Sequence, residues 1–182
     1  MTHTGIGICG LSCRLCPRFH TNGTSRCDGC RGGNRTGAGC PFITCAVKRR
    51  GIEFCWDCGD AGSCGRWAKH RAAGRERDSF TCSASLEANI SKVARDGLES
   101  FIEEQALRGS LLDEMLDRFD EGRSKSYYCI AATVLDPAEL RAAIDTASET
   151  FGSCDERERA KALHELLDEA ACRRSLRLAL RR

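Results

Sequence analysis

From residue 86 onward the apolar positions recur with the period of an α-helix. Leu86, Ile90, Val93, Gly97 or Leu98, Phe101 and Ile102 fall on one face with charged residues opposite, and the spacing predicts a helix over 85–106. Leu111, Leu112, Met115, Leu116 and Phe119 predict a second over 110–120, opened by Ser110 and ended by Gly122. Tyr127, Ile130, Ala131 and Val134 share a face in SKSYYCIAATVL, which reads as a third. Asp136-Pro137-Ala138-Glu139 carries a cap, a proline at the first helical position and a glutamate that can reach back, so a fourth helix runs from 137 to about 150. Ser153 with Glu156 reads as another capping box, opening a fifth helix to about Cys172. Leu176, Leu178 and Leu180 then alternate with Arg177, Ala179 and Arg181, a period of two that predicts a short strand, with a continued helix as the other reading.

Before residue 84 this periodicity lapses. Residues 1–65 hold only eleven large apolar side chains, and glycines are dense, so loops should outnumber regular elements. CAVKRRGIEF predicts one short helix with Gly51 as its C-cap, and the basic stretch 65–83 reads as a connector, helical around Trp67 to Ala73. Cysteine supplies the order that apolar residues do not. Ten of the fourteen cysteines lie between Cys9 and Cys64, mostly in short-spaced pairs. The expected fold is a small, metal-stabilised, loop-rich cysteine module over 1–83 followed by a mainly α-helical domain over 84–182, with a short C-terminal strand. With so few apolar side chains, the first part is expected not to fold without metal.

Charge changes the picture only slightly. The net charge is +2, yet residues 1–83 carry an excess of seven positive charges and residues 84–182 an excess of five negative ones. A basic, cysteine-rich half invites a nucleic-acid reading. Each four-thiolate zinc centre, however, brings a formal charge of −2, and arginines that offset thiolates are the simpler account. Aromatic residues to stack on bases are also few there: Phe19, Phe42, Phe54, Trp56, Trp67 and Phe80. No apolar run is long enough to span a membrane, and the N-terminus lacks the pattern of a signal peptide. The expected location is the cytoplasm, a reducing compartment where dense cysteines hold metal rather than disulfides.

A CxxC turn brings two sulfurs to one ion, and two such turns complete a tetrahedral site. Cys13/Cys16 with Cys27/Cys30 is such a double pair, and four of Cys40, Cys45, Cys55, Cys58 and Cys64 would make a second site, leaving Cys9 as a surplus thiol. The same sulfur-rich set would also suit an iron–sulfur cluster. Cys9, Cys13 and Cys16 have the spacing of radical S-adenosylmethionine enzymes, but the chain lacks the alternating strands and helices of that barrel. His3 reads as part of a disordered terminus; His70 could be a metal ligand in principle but lies outside any paired spacing, and a solvated histidine is the plainer reading. Cys82, Cys129, Cys154 and Cys172 have no partner spacing and read as structural or inert. The glycine-rich RGGNRTGAG lacks the ending of a phosphate-binding loop and reads as a loop between ligands. Gly122-Arg123-Ser124-Lys125-Ser126 precedes a predicted helix start, where Arg123 and Lys125 could hold an anion; a capped, solvated turn is the plainer reading.

The order CGLxCxxC, CDGC, CxxxxCA and CxxCxxxxxC, followed by DSFTC, SLEANI, GLESFIEEQ and GRSKSYYCIAATVL, resembles a family of cysteine-rich proteins of unknown function, DUF3795, along most of the chain. The resemblance implies zinc binding, a home among anaerobic bacteria and archaea, and no particular activity. Its cysteine positions fall on Cys9, Cys13, Cys16, Cys27, Cys30, Cys40, Cys45, Cys55, Cys58 and Cys64. The expected function is a non-enzymatic protein with two four-cysteine zinc sites, serving as a binding or adaptor module for a protein partner or an acidic ligand. The alternative is an iron–sulfur protein that passes electrons to an anaerobic enzyme.

Overall fold

The computed structural model describes residues 3, 5–33, 40–79 and 81–182. Among these residues five α-helices succeed one another: α1 (Gly65–Glu76), α2 (Leu86–Phe119), α3 (Lys125–Val134), α4 (Pro137–Phe151) and α5 (Glu156–Arg173). The cysteine-rich part holds a π-helix, Ile43–Arg50, and two single-turn 3-10 helices, Cys13–Leu15 and Cys55–Asp57. Gly51 closes the π-helix in the left-handed conformation, as its position in the sequence predicts. Among the described residues no helix is long and apolar enough to cross a membrane.

The main core lies in the helical half. Leu111, Leu112, Met115 and Phe119 from α2 meet Tyr128 and Ala131 of α3, Leu140 and Ile144 of α4, and Leu163 and Leu167 of α5. Leu15 and Cys82 enter this core from the first half of the chain, and Leu178 enters from the C-terminal tail. A second cluster joins Ile6 and Phe54 to Phe101 of α2, with Trp56, Val93, Leu98 and Ile102 around it. The cysteine-rich part is thus pressed against α2 by apolar contacts of its own.

Two expectations for the helices are corrected. The helices expected over 85–106 and 110–120 are one element, and the interruption falls at Gly97, whose backbone is extended with positive φ (φ 85°, ψ 165°). Gly109 lies inside the helix because the Arg14 guanidinium rests on it; a Cβ there would sit 3.2 Å from Arg14 Nε. The N-cap of α5 is Asp155, whose side chain accepts the Glu158 N–H, rather than Ser153. The acidic side chain directly before the helix outcompetes a serine two residues earlier. By contrast α4 begins with the capping box read from the sequence, Asp136 and Glu139 each bonding the other's backbone.

The tail beyond α5 forms no strand among the described residues, and instead straps back to the end of α1. Arg181 donates from Nη1 to the Arg75 carbonyl (2.8 Å), from Nη2 to the Gly74 carbonyl (2.8 Å) and to Asp78 Oδ1 (2.9 Å). The Arg181 N–H donates to Asp78 Oδ2 at 2.8 Å, and Ser83 donates to Oδ1 through both its N–H and its hydroxyl. Burial alone would raise the Asp78 pKa, but Arg181 and Ser83 together hold it well below the usual carboxylate range. A period-two pattern needs an open sheet edge to become a strand, and with none beside it Leu178 is buried in the helical core instead.

Candidate metal centres

The two halves of the cysteine set are built by the same local device. Cys16 N–H donates to the Cys13 carbonyl at 3.1 Å and Cys58 N–H to the Cys55 carbonyl at 3.4 Å, so each of these CxxC pairs closes one 3-10 turn. Such a turn places residues i and i+3 on one side, which brings the paired sulfurs to a common point. The loop around Cys9 is tied by Gly7 N–H to the Leu11 carbonyl (2.7 Å) and by the antiparallel bridge between Ile6 and Ser12. Cys55 N–H donates to the Ile8 carbonyl at 3.0 Å, which binds the second set to the first.

Gly10 sets this loop against α2. Its φ is +91°, and a Cβ on it would lie 3.1 Å from Leu86 Cδ1 and 3.2 Å from Trp56 Cζ3. Its carbonyl accepts from the buried Asn89 side chain at 3.0 Å. Arg31 plays a comparable part at the N-terminus. Its guanidinium, whose side chain is only 5% exposed, donates to the His3, Ile6 and Glu53 carbonyls and lies over the Phe54 ring. His3 is held as well, its N–H donating to Glu53 Oε1, so this residue is not the disordered terminus expected.

The cysteines divide between two cavities. Cys9, Cys13, Cys16, Cys27, Cys30 and Cys40 line one of about 350 Å³. Cys45, Cys55, Cys58 and Cys64 line another of about 40 Å³, one from the π-helix, two from a 3-10 turn and one from the N-cap of α1. Cys9, left over in the spacing argument, faces the first cavity, and Cys40 joins it there rather than the second set. Residues 34–39, most of the glycine-rich stretch read as a loop between ligands, lie outside the described residues. Among the described residues no three cysteine, histidine or acidic side chains converge closely enough to hold one ion; the thiols line the walls.

The electrostatics are those of thiols crowded together. Burial pushes Cys9 up to about 12, and the neighbouring Cys30 and Cys40 add to it. Cys13 is raised by its hydrogen bond with Cys30, then by burial. Cys55 rises to about 12 through burial and then through Cys9, Cys45, Cys64 and Cys58. Each thiol makes ionisation of the next harder, and a divalent cation reverses this by stabilising several thiolates at once. Arg50 supplies some positive charge, its Nη1 donating to Cys58 Sγ at 3.1 Å while its other nitrogen pairs with Asp60 at 2.6 Å. In donor type, though not in convergence, the two groups are those that thiophilic metals and iron–sulfur clusters take.

His70 is the residue that spacing did not single out. It sits on α1, lines the larger cavity with the six cysteines, and its Nε2 is buried without a hydrogen-bond partner. Burial lowers its pKa, and the Cys9 backbone pulls in the opposite direction. The available signal was the helical spacing from Trp67 to His70, which puts both rings on one face of α1.

Arg123 and Lys125 are not brought to one cavity. Arg123 is exposed, whereas Lys125 borders a cavity of about 730 Å³ together with Asp113, Asp117 and Asp120. Asp120 Oδ1 already accepts the Gly122 and Ser124 N–H groups ahead of α3. Ser124 in the same motif is buried, donates to Glu121 Oε2 at 2.6 Å and lies 2.7 Å from His164 Nε2. The hydroxyl bridges carboxylate and imidazole and has no face open to a substrate, so it clasps α3 to α5.

Comparison with known proteins adds one finding. A model of the family described as "Protein of unknown function (DUF3795)" matches residues 5–69, which takes in all ten clustered cysteines and stops before the motifs from 78 onward. No curated protein and no solved structure matches the chain.

Proposed function

We propose, from the premise that residues 5–69 belong to DUF3795, that this segment is a metal-knitted module holding two structural centres and serving as a binding or adaptor surface. The observation that carries the proposal is the division of the ten cysteines between two separate cavities. Cys45, Cys55, Cys58 and Cys64 would hold one zinc ion, and four donors around the larger cavity a second. A four-thiolate zinc has no open position, so the metal supplies folding energy rather than catalysis, and recognition falls to the surface it supports. That surface is basic near the smaller centre. Lys48, Arg49 and Arg50 on the π-helix and Arg66 and Lys69 on α1 are exposed, and Arg50 and Arg66 border the cavity itself, which suits an acidic protein partner. Cysteines kept for metal rather than for disulfides suit a reducing compartment, the cytoplasm.

Zinc and chain are measured together after anaerobic purification. About two zinc ions per chain and no visible absorbance are expected. Cys27→Ser and Cys64→Ser should each lose one ion, whereas Cys154→Ser and Cys172→Ser keep both. Equal metal content in all four variants would sink the two-centre reading.

A second reading rests on the size of the larger cavity. Six cysteines around about 350 Å³ exceed what one tetrahedral ion uses, and an iron–sulfur cluster that passes electrons to a partner enzyme would use the space. Iron, acid-labile sulfide and a brown colour in the same preparation would replace zinc by this reading.

A further inference from the structure

We infer that His70 is a ligand of the larger centre, binding through Nε2 beside the cysteine thiolates. The inference rests on the reading that the cysteine segment holds metal, and it adds a nitrogen donor that cysteine spacing does not include.

The ring is held in place before any ligand arrives. It stacks on Trp67 with centroids 5.8 Å apart and planes 23° from parallel, and it meets Phe42 at 4.9 Å. Phe42 itself lies edge-on to Trp67 at 6.2 Å. Of these three rings Trp67 is buried and Phe42 lines the larger cavity with His70. The imidazole is therefore held by ring packing around α1, with the Cys9 backbone beside it.

Nε2 nevertheless has no hydrogen-bond partner, although it is buried. Leaving a buried polar atom unpaired costs about 1–3 kcal/mol, so such an atom marks a place where a partner belongs. Other histidines of the chain show the ordinary solution. His20 Nε2 lies 2.5 Å from the Arg14 carbonyl oxygen, and His164 Nε2 lies 2.7 Å from the Ser124 hydroxyl. The cavity that His70 borders offers thiols from six cysteines, whose role as donors is to ionise and hold a cation. Three thiolates and one imidazole make a familiar zinc site, and the Cys9 backbone beside the ring is the kind of acceptor that orients a ligating imidazole.

The experiment replaces the resident metal by cobalt(II) in the full-length protein and compares wild type with His70→Ala, His70→Phe and His164→Phe. His70→Phe keeps a ring on Trp67 and Phe42, so it removes the nitrogen while preserving the packing. Both His70 variants should shift the visible ligand-field bands of one cobalt and weaken that site at least about tenfold, with the other site unchanged. His164→Phe should match wild type. If the resident centre is an iron–sulfur cluster, the same comparison is read on its visible absorbance. Two metals bound with wild-type spectrum and affinity in both His70 variants would overturn the assignment of His70 and leave the metal module standing. A wild-type protein that takes up neither metal nor cluster would overturn both.

Discussion

Replacing Arg181 by alanine should lower folding stability by about 2–3 kcal/mol, although the residue is next to last in the chain. The figure follows from what the side chain leaves behind. The Asp78 carboxylate is only 1% exposed, and without the guanidinium it keeps only Ser83 and a backbone N–H as donors. Breaking a buried ion pair by removing one partner costs about 3–5 kcal/mol, and here the Arg181 side chain is 35% exposed, so water makes up part of the loss. The Arg75 carbonyl at the end of α1 loses this donor as well, while the Gly74 carbonyl keeps the Ser83 hydroxyl at 3.3 Å. The assay is urea unfolding of the protein as purified, followed by far-UV circular dichroism, at a series of pH values. Asp78 has a folded pKa below its unfolded value of about 3.9, so the stability it contributes is fully present above about pH 5 and is lost as pH falls towards the folded pKa. The gap between wild type and Arg181→Ala should accordingly stay level above about pH 5 and shrink below about pH 4. Arg181→Lys should recover about half the loss, because an ammonium keeps the charge and lacks the fork. A loss under about 0.5 kcal/mol at neutral pH, or a gap that does not change with pH, would refute this account.

Other substitutions probe separate parts of the molecule. Gly10→Ala should cost about 1–3 kcal/mol in the same assay, because its φ is positive and its Cβ would strike Leu86 and Trp56, whereas Gly62→Ala, with open space around it, should be neutral. Arg108→Ala should cost about 1.5–3 kcal/mol, since Nη1 donates to both the Ala132 and Leu135 carbonyls at the end of α3. Asp155→Ala should cost about 0.5–2 kcal/mol and Ser153→Ala much less, which checks the position of the α5 cap by thermal melting.

How much of this was legible depends on where the determining contacts lie. The start of α4 is written into four adjacent residues, and the structure has that capping box. The course of α2 is not local. Gly109 resembles a helix end in sequence, but its missing Cβ makes room for Arg14, ninety-five positions earlier, while Gly97 fits an apolar helical face and turns out to bend it. The C-terminal alternation could not reveal that Asp78 waits more than a hundred residues upstream. The cysteine spacing pointed to paired ligands, and the structure adds which pairs share a cavity, because the π-helix carries Cys45 to Cys55, Cys58 and Cys64 while Cys40, before it, faces the other group. His70 could not be found by cysteine spacing, since the six cysteines on its cavity wall all lie thirty or more positions upstream.

The bend at Gly97 has a dynamic consequence. Val93 lies before it and Leu98, Phe101 and Ile102 after it, and all four close around Ile6, Phe54 and Trp56. The two arms of α2 therefore form an elbow filled by side chains from the cysteine loops, and what fills the elbow is fixed in turn by whatever ties Cys9 to Cys55. In native-state hydrogen exchange the amides of residues 86–102 should open together with the cysteine segment, as one cooperative unit distinct from the slower core of α3, α4 and α5. If the cysteine segment holds metal as proposed, chelation would then speed exchange in the first half of a helix that holds no cysteine at all.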